Sequence, residues 1–362
     1  MLWRKTEGLQ EEPKQNRVMR QLYLQAPNDL RMREVEDPIP GPGEVIVEVR
    51  GATTCGTDLK TLLRGHPKFP MPTPFGHEFS GIISALGEGV TEWEVGAEVM
   101  SAPTAPCGEC HLCRRGLYNL CPTCMDGLIL GAFAQKVRVP AHIVKRNLYS
   151  KPRHLDFFEA ALMEPLACAV YGQQCLPTLQ GKSVAIIGAG PIGLFHQMLA
   201  LNQRPSHLFM IGRREPRLEL AREIGADEVV DSAVETDLVE AVMSRTRGVG
   251  ADVVIECTGQ PQVWVESIKA TAPDGQTLLF GGCKSGTKVP LPFDLMWKRR
   301  LTVFGVFHFT PEAVAEAREH LCSGRLPVEQ VITDVRPMTD YHDIFEDLKA
   351  GRAVKYGIDP WS

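Results

Sequence analysis

The sequence predicts an α/β protein in which a doubly wound parallel sheet is joined to a second, smaller, strand-rich domain. Three observations carry the prediction. From about residue 180 short apolar strands alternate with helical runs, as a parallel sheet with crossover helices requires. A glycine-rich turn lies between the first of those strands and the first of those helices. Before about residue 168 the chain shows only short β-like runs broken by Gly and Pro.

Bulk composition agrees with this and narrows the function. At 362 residues the chain suits two domains of about 100 to 250 residues each. Hydrophobic residues make up 44% and charged residues 23%, a soluble globular composition. A net charge of -5 leaves no basic surplus for gripping phosphate backbones, which argues against nucleic acid as a partner. No apolar run approaches the roughly 18 to 20 residues of a membrane span, and the N-terminus lacks an apolar core, so no membrane association and a cytoplasmic location are expected. Eleven cysteines in such a chain point to reduced thiols and metal sites rather than to a disulfide framework.

Residues 1–17 are polar and read as a loose N-terminal extension. In the first half, strands are expected over 45–49, 81–83 and 96–100. In the second half, strands over 184–187, 208–211, 253–256 and 277–280 bracket helices over 191–201, 217–224 and 237–245. The rhythm breaks after Gly305. A helix over 311–321 then precedes a tail expected to return to the first domain.

Cys107, Cys110, Cys113 and Cys121 follow C-x2-C-x2-C-x7-C. Four thiolates this close, with Gly108 between them, suit a closed tetrahedral zinc shell of the structural kind. An iron–sulfur cluster is the competing reading of short cysteine spacings, and Cys124 lies near enough to compete for the place of Cys121.

A second set is dispersed. Cys55-Gly56-Thr57-Asp58 and Gly76-His77-Glu78 lie about twenty residues apart, each beside a glycine that permits close backbone approach. Glu164 stands in the apolar run Met163-Glu164-Pro165-Leu166. A catalytic zinc takes about three protein ligands and keeps one position open; Cys55, His77 and one of Glu78 or Glu164 satisfy that.

Gly188-Ala189-Gly190-Pro191-Ile192-Gly193 is G-x-G-x-x-G after an apolar strand and before a helix. In that context the glycines allow a tight turn, close approach to a pyrophosphate and helix–strand packing, so a Rossmann nucleotide site is expected. Cys257 and Thr258, after the strand over 253–256, are counted with the cofactor-binding residues. The second strand ends in Gly212-Arg213-Arg214, where an acid would hold the ribose 2′-hydroxyl of NAD. Two guanidiniums there, with Arg217 one turn on, predict NADP(H) over NAD(H).

With these features in this order the sequence resembles the zinc-containing medium-chain dehydrogenase/reductase superfamily, over nearly all of the chain from about residue 18. Glu164-Pro165-Leu166 resembles its sorbitol and threonine dehydrogenase branch. The resemblance implies a GroES-like catalytic domain from residues 18–166 and 307–362, with its zinc lobe at about 105–125, and a Rossmann domain over 167–306 inserted between. It implies two zinc ions, one catalytic and one structural, and places Cys55 and His77 on the catalytic ion with Glu78 or Glu164 completing the shell. Asp58 then orients His77, and Thr57 hydrogen-bonds the substrate hydroxyl. The implied activity is oxidation of a secondary alcohol (polyol, sugar or hydroxyamino acid) to a ketone: zinc as Lewis acid stabilises the alkoxide while hydride passes to the nicotinamide. A homodimer or homotetramer is implied as well. One position departs from the family: the place that often carries a proton-relaying histidine is Lys60, whose charge keeps it from accepting a proton, and a water held by Glu164 is the alternative path. Two other readings are a zinc-free quinone or enone reductase, which the cysteine lobe opposes, and a non-catalytic relative, which the intact Cys55, His77 and glycine turn oppose.

Overall fold

The computed structural model describes residues 18–66 and 68–362; the expected N-terminal extension, residues 1–17, lies outside the described residues. In chain order the first half runs β1 (Val18–Ala26), β2 (Asp29–Glu36), β3 (Val45–Thr53), α1 (Gly56–Arg64), β4 (Thr73–Pro74), β5 (Glu78–Leu86), β6 (Glu98–Ser101), β7 (Lys136–Val139), α2 (Ala141–Asn147), β8 (Leu148–Ser150), α3 (Phe157–Ala161) and α4 (Met163–Gln174). The second half alternates: β9 (Ser183–Ile187), α5 (Pro191–Asn202), β10 (His207–Gly212), α6 (Glu215–Ile224), β11 (Glu228–Asp231), α7 (Leu238–Arg245), β12 (Ala251–Glu256), α8 (Pro261–Lys269), β13 (Thr271–Leu279), α9 (Phe293–Arg299) and β14 (Thr302–Gly305). The tail adds α10 (Pro311–Ser323), β15 (Ile332–Pro337), α11 (Tyr341–Ala350) and β16 (Lys355–Asp359).

β9 to β14 form a six-stranded parallel sheet in the order β11-β10-β9-β12-β13-β14. Counted from its own first strand this is 3-2-1-4-5-6, the doubly wound order that puts a ligand crevice at the carboxyl ends between the first and fourth strands. β9 reads Ser-Val-Ala-Ile-Ile because both of its faces are covered. Val184 and Ile186 pack with Leu194 and Met198 on one side, while Ala185 and Ile187 pack with Phe209 and Val242 on the other. α5 starts on Gly190 as N-cap with Pro191 at its first position, and it buries Gly193 through Ala200. α7 starts where the side chain of Asp237 accepts from Glu240 N at 3.0 Å. β11 and α8 carry no strong sequence signal. β11 is a four-residue edge strand with acidic ends, and α8 follows β12 directly after the turn at Gly259.

The first half and the tail share a seven-stranded sheet, β15-β16-β3-β5-β6-β8, with β7 also on β3; β2-β1-β4 form a smaller sheet. Leu22, Val47, Phe79 and Phe133 from the first half meet Phe345, Tyr356 and Ile358 from the tail in one core. The return occurs in two steps. α10 buries Ala313, Val314, Ala317 and Leu321 in the cluster that holds Val184 and Leu194, and only from β15 onward does the chain join the other sheet, where Gly357 pairs with Thr53. Among the described residues, no helix is long and apolar enough to cross a membrane.

Candidate active site and metal centres

β3 ends at Thr53 and α1 begins at Gly56, so Cys55 becomes the N-cap of α1 in an extended conformation (φ -123°, ψ 152°). Its sulfur accepts from Thr57 N at 3.4 Å, and burial with the charge of Glu78 holds the thiol above its ordinary value, His77 opposing. Asp58, buried, serves two partners. Its Oδ2 accepts from Cys55 N at 2.9 Å, and its Oδ1 lies 3.0 Å from His77 Nδ1. A carboxylate on Nδ1 fixes the imidazole with Nε2 directed away, the usual support of a metal-bound histidine. Burial opposes the charged form of His77, but Asp58 and Cys55 outweigh it and hold the ring well above its ordinary value.

Glu78 opens β5 and is wholly buried. Its Oε2 accepts from the Thr53 hydroxyl and from the ammonium of Lys355, which also donates to Thr54 O at 2.6 Å. Among the described residues its Oε1 is buried without a partner, a loss of about 1–3 kcal/mol unless something fills the place. One donor atom from each of Cys55, His77 and Glu78 lies within 4.8 Å of the others. A thiol, an imidazole nitrogen and an orphaned carboxylate oxygen at that spacing fit a borderline-soft cation such as zinc. Glu164, in the first turn of α4, adjoins this group without joining it. Burial pushes its carboxyl up to about 7, with His77 opposing and Glu78 adding to the rise, and Cys168 one turn on donates to its Oε1 at 3.7 Å. Thr57 and Lys60 are exposed on α1.

The lobe cysteines converge: Cys107, Cys110, Cys113 and Cys121 place their sulfurs within 4.8 Å of one another. The closest sulfur pairs are 3.6 Å (Cys121 and Cys107), 3.9 Å (Cys107 and Cys113) and 3.9 Å (Cys110 and Cys121). Zn–S bonds of about 2.3 Å set the edge of a tetrahedron at about 3.8 Å, which these distances match. Cys124 is buried outside the group, and burial pushes its thiol up to about 11.

The glycine turn has the shape a nucleotide needs. Gly188 holds φ +113°, and a Cβ on Gly193 would lie 1.9 Å from Gly188 O, so neither tolerates a side chain. Thr258 and Cys257 flank Gly188 across the crevice, and Glu256 fixes their turn by accepting from Thr258 N at 2.6 Å and Gly259 N at 3.0 Å. At the end of β10, Gly212 packs on Ala189, leaving Arg213 and Arg214 exposed. The three arginines do not converge. Arg217 donates twice to Ala353 O, at 3.2 and 2.7 Å, and the Arg214 side chain lies against Gly351, so these two reach toward the tail of the chain, and of the three only Arg213 has no such contact among the described residues. Lys355, Thr53 and Cys168 were not singled out in the sequence. Ser232, whose hydroxyl donates to Gly212 O at 3.0 Å, was also missed.

The sequence model of the alcohol dehydrogenase GroES-like domain matches residues 41–148, and that of the zinc-binding dehydrogenase matches residues 191–323. The chain is 34% identical to an L-threonine 3-dehydrogenase of Pyrococcus horikoshii over 333 residues, covering 89% of this chain and 92% of that protein. It is 30% identical to a sorbitol dehydrogenase of Halalkalibacterium halodurans, covering 91% of this chain and 95% of that protein. The crystal structure of a zinc-binding dehydrogenase from Sinorhizobium meliloti bound to NADP superposes with a TM-score of 0.87 at 30% identity, over 95% of this chain and 100% of that one.

Proposed function

This chain belongs to the zinc-binding alcohol dehydrogenase family, whose members are oxidoreductases acting on CH–OH groups, and we propose that it oxidises a secondary alcohol (a polyol, sugar or hydroxyamino acid) to the ketone, reversibly, with NADP(H) preferred and two zinc ions per chain. The observation that carries the reading is Glu78 Oε1, buried without a partner among the described residues, beside Cys55 and His77.

In this proposal Cys55, His77 and Glu78 hold the catalytic ion, with Glu164 beside them, and Cys107, Cys110, Cys113 and Cys121 hold the structural ion. Bound zinc supplies Lewis acidity toward the substrate oxygen, and the nicotinamide supplies the hydride acceptor. The chain does the rest. Asp58 sets the ring of His77 through Nδ1, and Lys355 sets the carboxylate of Glu78. Thr57, exposed at the first turn of α1, receives the substrate hydroxyl. A water held by Glu164 takes up and passes on the hydroxyl proton in place of the relay that Lys60 cannot perform. Gly188, Gly190, Pro191, Ile192 and Gly193 receive the pyrophosphate at the start of α5, Cys257 and Thr258 border it, and Arg213 meets the ribose 2′-phosphate.

The substrate and metal side comes from residues 18–166 and the tail, and the cofactor side from 167–306. Self-association accompanies the proposal. β14 is the open edge of the parallel sheet, and Phe293 and Trp297 on neighbouring α9 are each 73% exposed. The reading is tested by assaying polyols, sugars and L-threonine with NADP and NAD alongside metal analysis. Turnover that requires zinc supports it, and full turnover after zinc removal overturns it.

A further inference from the structure

Cys121-Pro122-Thr123-Cys124 is a C-x-x-C run whose first cysteine belongs to the four-sulfur group of the lobe and whose second lies outside it. Cys124 N donates to Cys121 O at 3.1 Å, closing a four-residue turn with Pro122 at its second position, where the fixed φ of proline belongs. A turn of this kind keeps its end Cα atoms within about 7 Å, and a disulfide spans Cα atoms about 4.4 to 6.8 Å apart. The backbone therefore already holds the two residues at bonding reach. Both are buried, and with Cys113 they form one packed cluster.

The cluster is open to small reactants on one side. A surface cleft is bordered by Cys107, Cys110, Pro122 and Thr123, and Thr123 Oγ1 lies 3.4 Å from Cys121 Sγ, so the cleft comes within one hydroxyl of that sulfur. Cys107 is a rival partner for Cys121, their sulfurs being 3.6 Å apart. It is itself one of the four, so joining it to Cys121 takes two thiolates from the shell at once, whereas Cys124 can react while the other three stay in place.

From this geometry we infer that Cys121 and Cys124 are a peroxide-sensitive disulfide site that opens the four-cysteine metal shell. The inference rests on the reading of the lobe as a zinc site. The Cys121 sulfur attacks one oxygen of a hydroperoxide; an S–O bond forms, the O–O bond breaks, and the second oxygen leaves and takes a proton from solvent. Cys124 Sγ then attacks Cys121 Sγ, the S–S bond forms, the S–O bond breaks, and the hydroxyl leaves as water with the proton of the Cys124 thiol. The two sulfurs give up two electrons and the hydroperoxide accepts them. Cys121 is then no thiolate, and the shell keeps three ligands of four.

The test follows zinc and sulfur together in the full-length chain carrying Cys55→Ser, so that released zinc comes from the lobe. Each protein meets a small excess of hydrogen peroxide; a chromogenic chelator reads the zinc, and alkylation with peptide mass mapping reads the disulfides. This parent is expected to form the Cys121–Cys124 disulfide in step with release of its zinc ion, and dithiothreitol with added zinc restores both thiols and metal. Adding Cys124→Ser leaves the untreated zinc content unchanged and slows release by at least about tenfold, because no thiol outside the shell remains to resolve the oxidised Cys121. Release at the parent rate in Cys124→Ser, or a disulfide in the parent that leaves out Cys124, overturns the inference. A parent that holds no zinc before peroxide instead overturns the reading of the lobe as a metal site.

Discussion

The ammonium of Lys355, on the last strand of the chain, is buried against the carboxylate of Glu78, at the start of β5, across 277 residues of sequence. Both groups are essentially inaccessible to solvent, and burial, which alone would lower the Lys355 pKa, is outweighed by Glu78 so that it stays raised. Removing one partner of such a pair leaves a buried charge alone. Lys355→Met is therefore expected to destabilise the protein by about 3–5 kcal/mol in urea unfolding and to weaken zinc retention at the Cys55 site. A variant with unchanged midpoint and unchanged metal content would show that the pair holds nothing in place.

In the lobe, the sulfur positions separate ligands from bystander. Cys110→Ser is expected to lower the zinc content by one ion per chain, whereas Cys124→Ser, outside the tetrahedron, keeps both. Metal analysis by mass spectrometry reads the two variants directly. Loss of zinc from Cys124→Ser would move the fourth ligand.

His196 gives a pH dependence unconnected with metal. It is wholly buried on α5, its Nε2 has no partner among the described residues, and burial pulls it down to about 3 from the usual 6.5. Because the folded pKa lies below the unfolded one, the unfolded chain binds this proton first. Stability is full above about pH 6.5 and is lost as pH falls toward 3, by as much as about 5 kcal/mol. Replacing the group by His196→Gln should flatten the fall in unfolding midpoint between pH 6.5 and 4. An identical slope in wild type and variant would place the acid sensitivity elsewhere.

What was legible in the sequence follows from how local the signal is. Cys107 to Cys121 lie within one loop, and Gly188 to Gly193 within one strand–turn–helix, so spacing alone exposes them. β9, β10 and β12 carry apolar runs because both faces are covered, and such runs announce themselves; β13 shows one only at its end, Thr277-Leu278-Leu279. Lys355 and His308 have no such context. Each acquires its partner, Glu78 or Thr104, only when distant segments meet, and a lysine before Tyr356 or a histidine between two phenylalanines reads as surface or core. Arg217 shows the converse. A helical spacing pointed it at the cofactor, and tertiary contact took its guanidinium to Ala353 O.

Cofactor choice now rests on Arg213, and the geometry restricts how it can be tested. A Cβ on Gly212 would lie 2.7 Å from Ala189 Cβ, so Gly212→Asp should disturb the glycine turn and weaken both cofactors. Arg213→Asp avoids that clash. It is expected to lower the NADP-to-NAD ratio of kcat/KM by at least about tenfold, and the wild-type ratio should fall as salt rises. Wild type that prefers NAD across several substrates contradicts the assignment.

The claim on which the rest depends is that Cys55 and His77 serve a metal and not the cofactor, and Cys55→Ser examines it in one protein. Zinc per chain, NADPH affinity by fluorescence and kcat/KM for the best substrate are measured together. The account predicts a loss of one zinc ion, an NADPH dissociation constant within about twofold of wild type, and a fall in kcat/KM on the order of a thousandfold or more, matching several kcal/mol of lost transition-state stabilisation. Retention of both zinc ions, or turnover at the wild-type rate, would contradict it.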